Sequence, residues 1–197
     1  TEGEILVDGI NIKDYKLEYL YKLIGYVPQK AVMFNGTVNS NIAYGDAKEV
    51  ITVNRIKEAA KVAQADDFVS KMDDGYASHI AQGGTNVSGG QKQRLAIARA
   101  IAKNPEIYIF DDSFSALDYK TDAVLREELK KYMKDATSLI VAQRIGTIMN
   151  ADKIIVLDNG TSVGVGTHEE LLKSCEVYKE IALSQLSKEE LDNAKTK

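Results

Sequence analysis

The 197-residue sequence contains no tryptophan, two prolines and a single cysteine, Cys175. One cysteine excludes an internal disulfide and fits a reducing compartment, and Cys175 itself is expected to be a helix residue without chemistry. No run approaches the roughly 20 apolar residues of a membrane-spanning helix, and no secretory signal peptide is visible. The formal net charge is -4, which argues against a nucleic-acid-binding protein that depends on phosphate attraction.

The remaining composition is ordinary for a soluble globular protein, with 44% hydrophobic and 27% charged residues. The length suffices for one substantial α/β domain, or for a core with a small subdomain. Short apolar runs predict strands, at 5–7, 24–27, 107–110, 138–142 and 154–157. We expect the last three to be buried on both faces, and a helix at 119–133 between two of them implies a parallel sheet.

Between these strands the pattern from 38 to 102 is helical. Further local signals are a hairpin turn at Asn159-Gly160 and a capping box from Thr167 to Glu170. Both histidines, His79 and His168, are expected at the surface. The chain is therefore divided into an α/β core, a helical insertion and a charged tail, at 1–35 with 105–186, at 36–104, and at 187–197.

The segment from Asn86 to Leu95 reads NVSGGQKQRL and is expected to open a long helix that ends near Asn104. Two glycines beside a serine at a helix start let backbone amides approach an anion closely, and the helix dipole adds partial positive charge. Ser88, Gly89, Gly90 and Gln91 are thus candidates for binding phosphate. The alternative is an ordinary helix cap followed by flexible glycines.

A predicted strand, IYIF, ends in two carboxylates, Asp111 and Asp112. Carboxylates at a strand end can hold Mg²⁺ or polarise an attacking water, although they can also cap a loop. Six residues after Asp112, the segment SALD ends in Asp118, which is also a candidate N-cap of the next helix.

These segments resemble the nucleotide-binding domain of an exporter-type ATP-binding-cassette (ABC) transporter. Two further segments support the resemblance, YVPQ ending in Gln29 and the run from Phe34 to Gly45, and all lie in the family's order over nearly the whole chain. The resemblance implies a P-loop NTPase-like α/β fold with a parallel sheet and an inserted α-helical subdomain. It also implies ATP and Mg²⁺ as cofactors.

The resemblance assigns a role to each candidate. Asp111 would hold Mg²⁺, Gln29 would contact Mg²⁺ or the attacking water, and Asp112 would be the catalytic base. Asp118 would lie in the loop that reaches across a dimer. Ser88 to Gln91 would grip the phosphates of an ATP shared with a second domain. A loop near Gln82, where glutamate is usual, would touch transmembrane helices.

The sequence departs from this family in three places. It contains no G-x-x-x-x-G-K-[S/T] phosphate loop, so we expect an amino-terminally truncated domain that alone binds ATP poorly and is inactive. Asp112 stands where glutamate is usual and is one methylene shorter. Gln143 stands where the switch histidine is usual, and it can donate a hydrogen bond but cannot become charged.

Two changes at one catalytic site suggest the degenerate half of a heterodimeric exporter. Its expected partners are a second nucleotide-binding domain and the transmembrane domain of an exporter, with no nucleic acid. The expected location is the cytoplasmic face of the cell membrane, within an integral membrane transporter. In this hypothesis the signature loop, residues 88–91, completes the competent site of the partner.

Two alternatives stay open from the residues. One is a non-catalytic regulatory module that occludes ATP without turnover. The other is a soluble ABC ATPase of DNA repair or chromosome structure, which the exporter-like run from Phe34 to Gly45 disfavours.

Overall fold

A computed structural model describes residues 2–44 and 51–185 of the chain. The expectations for Gly45 and for the charged tail at 187–197 lie outside these residues. The chain forms two compact units that divide after Val141.

The strands of the described residues are β1 (Leu6–Val7), β2 (Ile10–Asn11), β3 (Ile24–Val27), β4 (Gly36–Thr37), β5 (His79–Ile80), β6 (Ile107–Asp111), β7 (Thr137–Val141), β8 (Ile154–Asp158) and β9 (Thr161–Gly166). The helices are α1 (Leu17–Leu23), α2 (Val38–Ala43), α3 (Val53–Val62), α4 (Asp66–Val69), α5 (Gly89–Lys103), α6 (Tyr119–Tyr132), α7 (Ile145–Ile148), α8 (His168–Ser174) and α9 (Glu176–Gln185). In the described part of the chain, no helix is long and apolar enough to span a membrane.

The first unit is built on a three-stranded parallel sheet in the order β3-β6-β7. Ile24 pairs with Ile107, which pairs with Thr137, so the carboxyl ends of the strands meet at one edge. The predicted parallel sheet is confirmed for these strands. Polar residues that follow β3 and β6 are thereby brought to the same edge.

Helix α5 packs against α2, α3 and β3 and carries much of the first unit's core. It has a long buried face because apolar residues recur at helical spacing, and Leu95, Ile97 and Ile101 are fully buried. The helix ends where Asn104 adopts a left-handed conformation, with φ of 55°, just before Pro105. Its predicted start and end are both confirmed.

Two predictions for the first unit need correction. The strand signals at 5–7 and 24–27 suggested that the whole segment 4–27 is rich in strands, but α1 forms within it because Leu20 and Leu23, three residues apart, turn to the same buried side. Strand β7 was expected to be buried on both faces, yet Leu139 and Val141 are exposed. Among the described residues, β7 pairs only with β6 and lies at the edge of the sheet. No second strand of the described chain therefore lies beside it.

In the second unit, β8 and β9 form an antiparallel hairpin across the predicted turn at Asn159 and Gly160. Both turn residues have positive φ, 47° and 77°, as a two-residue hairpin loop requires. The expected double-sided burial of β8 is wrong, because Ile155 and Leu157 are exposed. Its pairing is with β9 in a separate sheet rather than with the parallel strands.

Helix α8 begins with the predicted capping box, in which Thr167 and Glu170 exchange hydrogen bonds. The surface position expected for His168 is wrong. Its side chain is buried, and Nδ1 lies 2.7 Å from the hydroxyl oxygen of Tyr178. The expectation that Cys175 is a helix residue is wrong, because it is the C-cap of α8 in an extended conformation, and its side chain is buried.

Candidate nucleotide site

Two carboxylates lie at the carboxyl edge of the parallel sheet, and each accepts a hydrogen bond from a residue of the neighbouring strand or the loop after it. The Tyr26 hydroxyl donates to Oδ2 of Asp111 at 3.0 Å. The Gln29 amide donates from Nε2 to Oδ2 of Asp112 at 2.9 Å. The fold therefore brings together three residues that the sequence predicted as one site, namely Gln29, Asp111 and Asp112.

Asp112 has an unusual backbone conformation, with φ of 45° in the left-handed region. The N–H of Asp112 donates to the carbonyl of Val141 at 2.9 Å, and the Ser115 hydroxyl donates to the carbonyl of Asp112 at 2.9 Å. Aspartate is among the residues that tolerate this region best, and such conformations concentrate at functional sites. These two bonds hold the backbone of Asp112 where β6 ends, and the Gln29 amide bonds to its side chain.

The oxygen atoms at this edge fit part of a magnesium site. Magnesium usually takes one or two carboxylates, several waters and phosphate oxygens, rather than a complete cage of protein ligands. Oδ1 of Asp111 accepts no hydrogen bond within the described residues, and the Gln29 amide offers a second oxygen. Residues 2–44 and 51–185 contain no group of three or more His, Cys, Asp or Glu side chains that would bind a metal by themselves.

The signature loop, residues 88–91, forms the N-terminus of α5. The Ser88 hydroxyl accepts from the N–H of Gln91, and the Gln91 side chain accepts from the N–H of Ser88. The ordinary capping interpretation is therefore correct for Ser88. It does not exclude the other, because a serine hydroxyl that accepts one bond can still donate another.

The two glycines of the signature loop differ in their surroundings. A Cβ at Gly89 would have no atom within 4 Å, whereas a Cβ at Gly90 would lie 3.3 Å from the carbonyl oxygen of Ala116. Gly89 thus borders open space, and Gly90 lets the loop after β6 approach the helix. Within the first unit, the signature loop and the loop that leads to Asp118 are in contact.

Asp118 caps helix α6, as the local alternative predicted. Its carboxylate accepts from the N–H of Thr121 at 2.9 Å. This bond is the main reason that the pKa of Asp118 lies below its usual range, because it stabilises the charged form.

Two polar residues that the sequence did not single out connect the site's segments. Gln93, buried on α5, donates from Nε2 to the carbonyl of Pro28 at 3.1 Å. Ser113, also buried, donates to the carbonyl of Val27 at 2.8 Å. The signature helix and the end of β6 are therefore both bonded to the chain just before Gln29. The available signal for Gln93 was its place four residues before Ile97, on the same side of α5 as that buried residue.

The remaining predicted residues lie elsewhere. Gln143 belongs to the second unit, where its carbonyl accepts from Nε2 of Gln185 at 2.9 Å. Gln82 lies in the first unit, and its Oε1 accepts from the N–H of Asn35 at 3.2 Å. Gln82 thereby fastens the loop before the signature to the segment that follows Gln29.

A family model described as ABC transporter matches residues 1–115. This match covers more than half of the chain. The chain belongs to the ABC transporter family. The matched part of this ABC chain includes Gln29, the signature loop and the carboxylates Asp111 and Asp112.

Several proteins resemble this ABC chain over most of its length. An uncharacterised ABC transporter ATP-binding protein of Mycobacterium tuberculosis (strain ATCC 25618 / H37Rv) is 50% identical over 186 residues, which are 94% of the chain and 32% of that protein. A putative multidrug export ATP-binding/permease protein of Bacillus subtilis (strain 168) is 41% identical over 92% of the chain and 31% of its own length. The chain thus spans about a third of the length of the curated relatives it matches.

A solved structure shows the same fold. A bacterial Atm1-family ABC exporter with ATP bound matches 95% of the chain and 33% of its own chain, with a TM-score of 0.90 and 37% sequence identity. The ABC ATPase fold, with its parallel sheet and surrounding helices, is therefore confirmed for this ABC chain.

Proposed function

We propose that the chain is the ATP-binding domain of an ABC exporter, on the cytoplasmic face of a membrane, where ATP binding and hydrolysis at a domain interface drive export. The observation that carries this proposal is the cluster of Gln29, Asp111 and Asp112 at the sheet edge, in the same unit as an open signature loop. The printed names of the relatives, which combine ATP binding with multidrug export and a permease, support the exporter class.

In this proposal Asp111 and the Gln29 oxygen hold Mg²⁺, which when bound neutralises charge on the ATP phosphates. Asp112 accepts the proton of, or orients, the attacking water. Gln29 has two roles in this proposal, because its Nε2 bonds to Asp112 and its side-chain oxygen is the atom that would contact the metal. Its amide would therefore link the metal to the base.

The signature loop acts on a second nucleotide-binding domain in this account. Gly89 borders open space and stands at the N-terminus of a 15-residue helix, where amides and the helix dipole favour an anion. A phosphate held by the partner domain would approach there. The chain's second interaction surface would be the loop around Gln82, which faces the transmembrane domain of the exporter in our proposal.

The chain's own site is proposed to hydrolyse ATP weakly. Asp112 is one methylene shorter than glutamate, and a displacement of about 1 Å can lower a rate roughly 100-fold. Gln143 can donate a hydrogen bond to a γ-phosphate but cannot carry charge. The chain would then be one half of a heterodimer, in which the partner supplies the competent site.

The test is a double substitution, Asp112→Glu with Gln143→His, in the intact heterodimeric exporter. Turnover at this chain's site should rise by up to about 100-fold if the carboxylate position limits the rate. Asp135→Glu, which lengthens an exposed aspartate elsewhere, is the matched control and should change nothing. An unchanged rate in the double variant would show that these two residues do not explain weak catalysis.

A regulatory module that occludes ATP without turnover is the second candidate, and Asp112 and Gln143 favour it. In that case ATP stays bound at this site in the double variant without product release, although transport still responds to its binding. A soluble ABC ATPase is less consistent with the permease named in the relatives.

The 197 residues contain no phosphate-loop lysine, so we also propose that they bind ATP only weakly without the rest of a transporter. Fluorescent ATP with Mg²⁺ should show no tight binding to the isolated chain. Micromolar affinity would contradict the importance of that loop.

A further inference from the structure

The proposed function assigns no role to Tyr26, whose hydroxyl bonds to Asp111. This tyrosine lies on β3 in register with Ile109 of β6, and Asp111 comes two residues after Ile109. Because side chains alternate along a strand, Tyr26, Ile109 and Asp111 project from the same face of the sheet. A diagonal neighbour on the next strand is within reach of an aromatic side chain.

The contact with Asp111 is made by the tyrosine hydroxyl alone. Its oxygen lies 3.0 Å from Oδ2, and the side chain is 54% exposed, so the ring adds little to the buried core. The flanking residues of β3 do the packing, since Gly25 lies against Pro105 and Val27 is fully buried. The packing of β3 therefore depends on Gly25 and Val27, and the Tyr26 hydroxyl can be removed without removing that packing.

The direction of this hydrogen bond is fixed by chemistry. An ionised carboxylate only accepts, so the phenol donates. A tyrosine hydroxyl has an ordinary pKa of about 10 and is therefore protonated near neutral pH, so it is available as the donor. The bond engages Oδ2 and restricts rotation of the carboxylate, while Oδ1 accepts no hydrogen bond from the described residues.

We propose that Tyr26 is a positioning residue for magnesium, which holds the Asp111 carboxylate so that Oδ1 faces the metal. The inference rests on the proposed function, in which Asp111 holds Mg²⁺. It parallels the Gln29 contact to Asp112, so that each carboxylate of the pair has its own donor from β3 or the loop after it. Donors that orient a metal-binding carboxylate typically change metal affinity by about 10- to 100-fold when removed.

The experiment measures metal dependence of nucleotide binding, without turnover. The intact exporter is incubated on ice with 8-azido-ATP over a range of Mg²⁺ concentrations and then irradiated, and the label on this chain is quantified after separation of the subunits. The half-saturating Mg²⁺ concentration is compared for the wild type, Tyr26→Phe, Asp111→Asn and Tyr21→Phe. Tyr21 is an exposed tyrosine of α1 and serves as the matched control.

Tyr26→Phe should raise the half-saturating Mg²⁺ concentration by about tenfold. Labelling in EDTA should equal that of the wild type, and Tyr21→Phe should be unchanged. Asp111→Asn should abolish most of the Mg²⁺ dependence. A wild-type Mg²⁺ curve for Tyr26→Phe beside a shifted curve for Asp111→Asn would overturn the role of Tyr26 and leave the proposed function intact.

Two other outcomes also contradict the inference, for different reasons. If Tyr26→Phe lowers labelling equally in EDTA and in Mg²⁺, the hydroxyl supports the site's structure rather than its metal. If Asp111→Asn leaves the Mg²⁺ dependence unchanged, Asp111 does not hold the metal, and the metal assignment in the proposed function falls together with the inference.

Discussion

Gln29 and Asp112, 83 residues apart in sequence, are joined by a hydrogen bond of 2.9 Å from Nε2 to Oδ2. The bond forms because the carboxyl ends of β3 and β6 meet at one edge of a parallel sheet. It connects the residue expected to sense the metal with the residue expected to orient water. Because the neutral Gln29 amide donates to a carboxylate, a negative charge at position 29 would repel Asp112.

Gln29→Glu should place two carboxylates within hydrogen-bond distance of each other. Repulsion between them raises the pKa of the pair above the unfolded values, because both cannot ionise easily. A raised folded pKa means that stability is present at low pH and lost as pH rises through that folded value. The melting temperature of Gln29→Glu, relative to the wild type, should therefore fall between pH 4 and pH 7.

Gln29→Leu is the control for that pH dependence, since it removes the hydrogen bond without adding charge. Its difference from the wild type should be nearly constant over the same range. A flat profile for Gln29→Glu would contradict the observed proximity of positions 29 and 112.

Arg99 of α5 should be important for stability. Its guanidinium donates to the carbonyl and side-chain oxygens of Asn41 and to the carbonyl of Val32, and it lies over the Phe34 ring. Burial lowers its pKa to about 10, so it is still charged near neutral pH. Arg99→Ala removes all of these bonds, although Oδ1 of Asn41 still accepts from the N–H of Phe34, and it should cost about 3 kcal/mol of unfolding free energy.

Arg99→Lys should fall between the wild type and Arg99→Ala, because an ammonium cannot reproduce the planar fork of donors. Chemical denaturation monitored by circular dichroism gives the comparison. Lys57→Ala, at an exposed position of α3, should be close to neutral. A loss in Arg99→Ala no larger than that of Lys57→Ala would show that the contacts are not stabilising.

His168 should make the second unit sensitive to acid. Burial lowers its pKa, and the Coulomb effect of Glu169 opposes this only in part. A base with a lowered folded pKa stabilises the fold above its unfolded pKa of about 6.5, and that stability is lost as pH falls through the folded value. The thermal transition should therefore weaken between pH 7.5 and pH 5.

His168→Asn should lose much of this pH dependence, because it cannot be protonated. Tyr178→Phe, which removes the hydroxyl partner of His168, should lower stability but keep the acid sensitivity. Equal slopes against pH in the wild type and His168→Asn would assign the acid sensitivity to other groups.

Gly89→Ala and Gly90→Ala should differ in stability. Alanine at position 89 meets open space and gains up to about 1 kcal/mol from its helix propensity. Alanine at position 90 meets the Ala116 carbonyl at 3.3 Å, so the loop must shift by a few tenths of an ångström and the gain is offset. Melting temperatures of the two variants check this order, and a destabilised Gly89→Ala would mean that the position is not open.

Local patterns in the sequence predicted much of the fold and of the site. Gly89 to Asn104 shows helical spacing between a capping serine and a residue before proline, and the structure has that helix. The resemblance to ABC transporters grouped Gln29, Asp111 and Asp112 in one site, and the structure shows that they meet because the parallel strands β3 and β6 end at the same edge of the sheet.

Strand burial, strand pairing and contacts between distant residues could not be predicted from local sequence patterns. The burial of β7 and the pairing of β8 depend on which strands lie beside them, and an apolar run does not specify its neighbours. The left-handed conformation of Asp112 depends on Val141 and Ser115, and the bond from Tyr26 to Asp111 depends on the register of two strands.

The central claim is that the signature loop of this chain serves the ATP site of its partner. The direct test is vanadate trapping of 8-azido-ATP in the intact exporter, with the label quantified on each subunit. The account predicts that label is trapped mainly on the partner, and that Gly89→Ala in this chain abolishes it there. Label trapped mainly on this chain, or lost from this chain alone in Gly89→Ala, would contradict the account.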